Sequence, residues 1–297
     1  MSDAQPAGGS ERAWLRHAGI RPKKRLGQNF LINPNFRDRL IAAIGVAEDD
    51  AVLEIGPGSG SLTLPLARIA KRVWAVERDK RLYDLLSERS EAELPGAALT
   101  MIHEDILAVD PGVLAREAGR PLLLVGNLPY AVTSPILLWM LKHRDSFAGA
   151  VIMVQKEYGD RLRATPGGPG SSSLTVWAAY HARVTQEMRV PPTVFWPPPD
   201  VDSLLLRLHF HEQPPYPLSD PGWLEQSLRI SFGKRRKQLG GCVADALDLS
   251  RNEAVELLQK LSIDPARRGE TLTLEEHCRL AEAIGRGWPG HLARHGR

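Results

Sequence analysis

The segment 121-PLLLVGNLPYAVTSPILLWML-141 places an amide, a proline and an aromatic ring between two apolar runs. The Asn127 side-chain oxygen and the Leu128 carbonyl can each accept one N–H of a planar amino group such as adenine N6. Pro129 has no N–H and stiffens the loop, and Tyr130 offers a ring for stacking. Such an amine is a weak nucleophile that needs orientation more than deprotonation. The tetrapeptide therefore predicts a site that positions an aromatic amine, with a rigid strand-to-helix turn as the alternative.

A glycine-rich loop, 54-EIGPGSG-60, follows the apolar stretch 51-AVLEI-55 and precedes a predicted helix. Gly56 and Gly58 allow the backbone to approach a ligand, and the N-terminus of the following helix supplies N–H groups. The spacing is GxGxG, whereas the dinucleotide fingerprint is GxGxxG, and Ser61 stands where the third glycine would be. The loop predicts a ligand site or a tight turn.

Two acids follow the next predicted strands. Glu77 ends the second strand, where a carboxylate can accept both ribose hydroxyls of an adenosine or of NAD. Asp105 follows the third strand, where it could accept from an adenine amine or cap a helix. Ligands of open parallel sheets bind beyond the carboxyl ends of the strands. The loop and the two acids therefore predict a site for an adenosine-bearing cofactor.

Strands alternate with helices over the first half of the chain, which predicts an α/β fold with a parallel sheet covered by helices. An Asn33-Pro34 pair predicts the start of a helix over 35–44. Two later strands flank the proline-rich 191–203 and would close the sheet as an edge hairpin. The predicted strands are 51–55, 72–76, 98–102, 121–125, 149–154, 182–189 and 203–210.

The 297 residues are 43% hydrophobic and 25% charged, which is enough for a full core and a second unit. We predict a flexible leader over 1–20, a catalytic domain over 21–212 and a helical C-terminal domain over 213–297. Only two cysteines occur, without CxxC spacing, which argues against a disulfide framework or zinc site. The polar N-terminus lacks a secretory pattern and apolar runs are short, so a cytoplasmic location without membrane association is expected.

Lysines and arginines cluster in 21-RPKKR-25, in 234-KRRK-237 and at Arg267-Arg268, although the net charge is only +3. Each cluster alone is compatible with a solvated surface, but together they favour a nucleic-acid-binding face. The predicted nucleic-acid contacts are Lys23, Lys24, Arg25, Lys234, Arg235, Arg236 and Lys237.

Several segments together resemble those of the rRNA adenine N6,N6-dimethyltransferases. The resemblance includes 24-KRLGQNFL-31, the GxGxG loop with its acid at the end of the second strand, Asn-Leu-Pro-Tyr, and 195-FWPPPDVDS-203. It extends through 232-FGKRRKQL-239 into the C-terminal helices and is strongest for the bacterial branch that acts on small-subunit (16S) rRNA. Ser171 and Ser172 depart from the aromatic-glycine pair associated with many members.

This resemblance implies a Rossmann-like class I methyltransferase domain plus a small all-α C-terminal domain. The sheet would have seven strands, mostly parallel, with an antiparallel edge hairpin. The cofactor would be S-adenosylmethionine, and the enzyme would work as a monomer without a metal. It would convert two adjacent adenosines in the 3′-terminal hairpin loop of 16S rRNA to N6,N6-dimethyladenosine during maturation of the small subunit.

The resemblance also implies roles for individual residues. N6 would attack the sulfonium methyl directly, with Asn127 between cofactor and target. Tyr130 and Phe195 would stack on opposite faces of the base, although Phe195 could instead be a core aromatic. The implied catalytic residues are Asn127, Leu128, Pro129, Tyr130 and Phe195. The implied cofactor contacts are Asn29, Leu31, Gly56, Gly58, Glu77, Asp105, Ile106 and Asn127.

Three alternatives stay open at this point. A sister branch with the same fold dimethylates large-subunit rRNA and confers macrolide resistance; the helical C-terminal domain and Leu128 favour the small-subunit branch. A non-catalytic ribosome-assembly or nucleic-acid-binding factor could keep the fold. An NAD-dependent oxidoreductase is disfavoured by the GxGxG spacing and by the lack of an obvious proton relay.

Overall fold

The computed structural model describes residues 11–23, 27–129, 132–234 and 237–287. Its internal contacts divide the chain into two units. The first comprises residues 1–159 and 185–210, and the second comprises 160–184 and 211–297. The segment 160–184, which the sequence analysis assigned to the catalytic domain, thus groups with the C-terminal helices.

The first unit is built on the predicted seven-stranded sheet, in the order β4-β3-β2-β5-β6-β9-β7. Strand β2 pairs in parallel with β3 and β5, β3 with β4, and β5 with β6, while β9 runs antiparallel to β6. A separate two-stranded antiparallel sheet joins β1 to β8. The strands are β1 (Phe30–Leu31), β2 (Ala51–Ile55), β3 (Arg72–Glu77), β4 (Leu99–His103), β5 (Leu122–Asn127), β6 (Phe147–Gln155), β7 (Ala182–Val190), β8 (Phe195–Trp196) and β9 (Ser203–Phe210).

Helices connect the parallel strands, and their ends follow local capping chemistry. The Asn33 side chain accepts a hydrogen bond from the Phe36 N–H at 2.9 Å, and Pro34 is the first helical residue, as the sequence predicted. Gly45 ends the same helix in the left-handed conformation. The helices of this unit are α1 (Glu11–His17), α2 (Pro34–Ile44), α3 (Thr63–Ile69), α4 (Lys80–Glu93), α5 (Pro111–Ala118) and α6 (Thr133–Lys142), with 3₁₀ turns at Ile106–Ala108, Arg144–Ser146 and Pro192–Val194.

The central strand β2 is buried at every position, as expected for a parallel strand covered on both faces. Part of the leader predicted as flexible is helical, because α1 has an apolar face to bury. Leu15 is fully buried and packs with Ile20, Phe30 and Leu82. The prediction of a flexible leader was therefore wrong for α1, while residues 1–10 lie outside the described residues.

The second unit is helical, as expected for the C-terminal region. Helix α8 joins it because Val176 and Tyr180 pack with Leu224, Leu228 and Cys278. Its helices are α7 (Lys156–Arg163, which crosses the unit boundary), α8 (Ser173–His181), α9 (Gly222–Gly233), α10 (Leu239–Leu247), α11 (Arg251–Lys260) and α12 (Leu274–Gly287), with a 3₁₀ turn at Gly269–Thr271. Within the described residues, no helix has the length and apolar character needed to cross a membrane.

Gly60, in the loop between β2 and α3, is constrained by its backbone conformation and by its close packing against Leu86. A substitution at Gly60 tests both constraints. Its φ is +86°, and a Cβ would lie 2.3 Å from Cδ1 of the fully buried Leu86. Gly96 also has positive φ, +79°, but has nothing within 4 Å. We expect Gly96→Ala to cost about 1 kcal/mol of unfolding free energy from backbone strain alone.

Gly60→Ala should cost roughly 1–3 kcal/mol more than Gly96→Ala, because overpacking adds to the same backbone strain. Urea unfolding of the wild type and both variants measures this difference. Equal reductions in stability for the two variants would contradict the predicted clash with Leu86.

Candidate active site

The predicted site residues meet at the carboxyl edge of the parallel strands, where three adjoining cavities share Gly56. Their volumes are about 530, 100 and 40 Å³. The largest is lined by Lys23, Asn29, Gly56, Gly58, Glu77, Asn127, Leu128 and Pro129, among others. Asp105 and Ile106 line the second cavity, and Leu31 lines the third.

Gly56 follows β2 with a φ of +65° and has no atom within 4 Å of its Cβ position. Its N–H donates to the Val76 carbonyl at 3.0 Å, which ties the loop to β3. Gly56 lines all three cavities and has free space on its Cα, so a ligand can contact its backbone directly.

Glu77, at the end of β3, fixes the two loops on either side of the largest cavity. Its Oε2 accepts the Gly58 N–H at 3.2 Å, and its Oε1 accepts the Asp79 N–H at 2.8 Å. The residue is only 7% exposed. Burial raises the pKa of the Glu77 carboxyl, and these backbone donors partly offset that rise. An acceptor held rigidly at the cavity edge suits a ligand that brings hydroxyl donors.

Asp79, which the sequence analysis did not single out, connects the segment before β1 to the start of α4. Lys23 Nζ lies 2.9 Å from Asp79 Oδ2, Gln28 Nε2 donates to it at 3.2 Å, and Arg81 Nη2 lies at 3.1 Å. Burial alone would raise the pKa of Asp79, but these three donors outweigh it and hold the pKa well below its usual range. Lys23, a predicted nucleic-acid contact, is therefore already paired.

Asn127 and Asn29 come together across the site. The Asn127 Nδ2 donates to the Asn29 backbone carbonyl at 3.3 Å. This bond orients the amide, so that its oxygen is the atom left to accept from a substrate amine. The Leu128 N–H donates to the Met153 carbonyl at 3.0 Å, and the Pro129 carbonyl accepts from the Thr133 hydroxyl at 3.0 Å. The loop after β5 is thus tied to β6 and α6.

Of the two aromatic residues predicted to stack on a base, the structure describes only Phe195. Tyr130 lies outside the described residues. Phe195 is 3% exposed and packs in the core with Leu31, Phe36 and Met153. Its ring is not among the residues that line the cavities. Phe195 is therefore a core residue in this structure, where β8 pairs with β1, and its role in stacking on a base stays a prediction.

Asp105 has two partners at the second cavity. Its Oδ1 accepts the Leu107 N–H at 3.1 Å, which caps the 3₁₀ turn, and its Oδ2 lies 3.1 Å from Arg78 Nη1. Asp105 therefore caps a helical turn, which was the alternative role, and it also lines the second cavity. Ile106 is 6% exposed and contributes apolar surface next to it.

A sequence model for the family described as Ribosomal RNA adenine dimethylase matches residues 19–285. The chain belongs to this family. Ribosomal RNA small subunit methyltransferase A of Anoxybacillus flavithermus is 40% identical over 276 residues, which cover 91% of this chain and 92% of the relative. The protein of that name from Desulforapulum autotrophicum is 37% identical over 278 residues, covering 93% and 96%. The resemblance inferred from the sequence motifs is confirmed.

Solved structures agree with the dimethylase assignment. A dimethyladenosine transferase from Plasmodium falciparum has a TM-score of 0.69 at 26% identity, with 86% of this chain and 98% of that chain covered. The 23S rRNA methyltransferase ErmE has a TM-score of 0.63 at 25% identity, covering 86% and 100%. The predicted Rossmann-like class I methyltransferase fold is confirmed.

In this adenine dimethylase, the basic cluster at 234–237 is partly neutralised. Lys234 Nζ lies 2.5 Å and Lys237 Nζ 3.0 Å from Asp245 Oδ2. Their hydrogen bonds hold the pKa of Asp245 at about 2. The predicted contacts Lys24, Arg25, Arg235 and Arg236 lie outside the described residues. No group of three or more His, Cys, Asp or Glu residues in the described part of the chain could hold a metal ion.

Glu54 is a site residue that the sequence analysis missed. It lies in β2, is 2% exposed, and its Oε2 has no hydrogen-bond partner among the described residues. It lines the smallest cavity together with Asn29 and Asn127. Burial raises the pKa of its carboxyl to about 7; the Thr63 hydroxyl opposes this shift, and the charge of Glu77 adds to it. The sequence feature that could have identified Glu54 is the presence of an acid within the apolar run AVLEI.

Glu54 should make the dimethylase less stable as the pH rises. Its pKa is about 7 in the folded protein, against an ordinary value of 4.5 for the unfolded chain. Between these values only the folded form keeps the proton, so unfolding releases it and becomes easier with increasing pH. Above the folded pKa this amounts to at most about 3 kcal/mol. Glu54→Gln has no titratable group at this position, so its stability relative to the wild type should increase as the pH rises.

Urea unfolding between about pH 5 and pH 8 measures the difference between variant and wild type. Taking the difference cancels other buried groups, such as His277, whose pKa burial lowers to about 4. The matched control is Glu91→Gln, at an exposed position of α4. A flat difference for Glu54→Gln, like that expected for the control, would contradict a buried neutral carboxyl.

Proposed function

We propose that this chain transfers methyl groups from S-adenosylmethionine to N6 of two adjacent adenosines in the 3′-terminal hairpin loop of 16S rRNA, giving N6,N6-dimethyladenosines. The family match and relatives named for the small ribosomal subunit support this proposal. The observation that carries the chemistry is Asn127, oriented by the Asn29 carbonyl at the rim of a cavity lined by acceptors. The protein would act as a monomer in the cytoplasm, on 16S rRNA or on an assembling small ribosomal subunit.

The residues present fit the cofactor. Its ribose hydroxyls and ammonium group are donors, and the cavities offer the acceptors Glu77 and Glu54. The Oε2 of Glu54 has no hydrogen-bond partner within the described ranges. Glu77 would hold the ribose, Asp105 and Ile106 would hold the adenine, and Asn29, Leu31, Gly56 and Gly58 would surround the methionine end. Bound there, S-adenosylmethionine supplies a methyl group on a sulfonium for direct attack by the target amine.

The protein's own task is to orient N6. The Asn127 oxygen and the Leu128 carbonyl would accept the N6 hydrogens, which aligns the nitrogen lone pair with the methyl group without removing a proton beforehand. The proton leaves after the methyl group has been transferred. Tyr130 would stack on the flipped base and offset part of the cost of unstacking it. Because Phe195 is in the core, it would need to leave that position to cover the other face of the base.

The activity is tested with labelled S-adenosylmethionine and ribosomal subunits that lack the modification, followed by nucleoside analysis. We expect dimethyladenosine in the small subunit alone. Label in the large subunit instead would move the protein to the branch represented by the 23S rRNA methyltransferase ErmE, its structural neighbour. Cofactor binding without transfer to either subunit would favour a non-catalytic assembly factor.

Asn127→Ala should reduce the rate of methyl transfer by about 100-fold or more, because one of the two acceptors that orient N6 is removed. Cofactor affinity, measured by calorimetry, should change by only a few-fold, since Glu77 and the glycine loop are intact. Asn35→Ala, at an exposed position of α2, serves as the control and should behave as wild type. Wild-type turnover by Asn127→Ala would refute the role assigned to this residue.

A further inference from the structure

Helix α1 presents two arginines beside the candidate active site. Arg12 and Arg16 are one helical turn apart and exposed. Their guanidinium carbons lie 5.8 and 5.6 Å from the centre of the Trp196 ring. Trp196 belongs to β8, which pairs with Phe30 of β1, and Phe30 lines the largest cavity. Two cations and an aromatic ring therefore stand on the strand pair that borders the site.

The rest of α1 holds these arginines in place. Leu15 is fully buried against Ile20, Phe30 and Leu82. On the α4 side, the Arg89 guanidinium lies 4.3 Å from the centre of the Trp14 ring, and its Nη1 is 2.8 Å from Glu11. The helix is thus held by contacts of Glu11, Trp14 and Leu15, which fix the backbone that carries the two arginines.

Arg12 and Arg16 also carry charge that the described residues do not neutralise. The single acid of α1, Glu11, is occupied by Arg89. No carboxylate in the described ranges pairs with either arginine, in contrast to Lys23, which pairs with Asp79. A guanidinium in a cation–π contact with an indole can still donate its N–H groups to an anion, which makes this arrangement suited to phosphate.

We propose that Arg12 and Arg16, held over the Trp196 ring, bind the phosphate backbone of the RNA strand next to the target adenosine. The inference rests on the proposed function and extends it to a surface that includes α1, outside the family match, which begins at residue 19. The Cα atoms of the two arginines are separated by about 6 Å along the helix axis, so the two side chains can each contact a different phosphate of one strand. The contacts with Trp196 limit the side-chain entropy that binding removes.

The test compares wild type with the double variant Arg12→Gln/Arg16→Gln, using small subunits that lack the modification. We expect KM for the subunit to rise about tenfold at physiological salt, with kcat and S-adenosylmethionine affinity unchanged. The slope of log affinity against log salt is negative, and its magnitude should decrease by about 1.5–2, because two phosphates are no longer neutralised. Arg12→Lys/Arg16→Lys keeps both charges and should retain most of the slope.

The matched control is Arg39→Gln, which removes an exposed guanidinium whose carbon lies 5.0 Å from the centre of the Phe36 ring in α2. It should leave both KM and the salt slope at wild-type values, and thermal unfolding of each variant checks that α1 remains in place. Wild-type KM in the double variant would overturn the inference. A raised KM with an unchanged salt slope would also overturn it, because binding to a ribosomal protein releases no phosphate counterions. Failure of the wild type itself to methylate the subunit would instead count against the proposed function.

Discussion

The site depends on the parallel pairing of β2 with both of its neighbours. Ile55 is in register with Val76 of β3 and with Gly126 of β5. The next residue on each strand is therefore Gly56, Glu77 or Asn127, and backbone hydrogen bonding brings all three to the same level. A cofactor loop, a ribose acceptor and an amine acceptor that are far apart in sequence become neighbours without any direct bond among their side chains.

Desolvation then sets the charge of each carboxyl around this edge according to the donors that it finds. Asp79 has Lys23, Arg81 and Gln28, and its pKa stays low despite burial. Among the described residues, the Glu77 carboxyl accepts from backbone N–H groups alone, and burial raises its pKa. Glu54 Oε2 has no hydrogen-bond partner in the same part of the chain, and burial raises the pKa of its carboxyl to about 7. A buried carboxyl that lacks hydrogen-bond donors lowers the stability of the folded protein. The same carboxyl favours binding of a ligand that brings donors, so these residues lower stability while they promote ligand binding.

What the sequence could predict was local in origin. The glycine loop, Glu77 and Asn127 each stand where an apolar run ends, so strand periodicity alone places them at the sheet edge. Burial of Phe195 depends on its pairing with Leu31, and α8 joins the helical unit through contacts with α9 and α12. Neither contact leaves a periodic signal near the residue concerned. The family resemblance supplied roles for such positions, but it could not supply their packing.

The lysine and arginine residues also show that partners in the folded chain cannot be read from the local sequence. Clusters of lysine and arginine identified Lys23, Lys234 and Lys237 as candidates for binding RNA, yet each of these has a carboxylate partner in the folded chain. Arg12 and Arg16 belong to no cluster in the sequence and lie beside an indole, with no carboxylate partner among the described residues. An ion pair must be broken or shared before its cation can bind a phosphate, whereas a guanidinium without such a partner binds without that cost. The partners that a cation has in the folded chain therefore bear on phosphate binding as directly as the density of charge along the sequence.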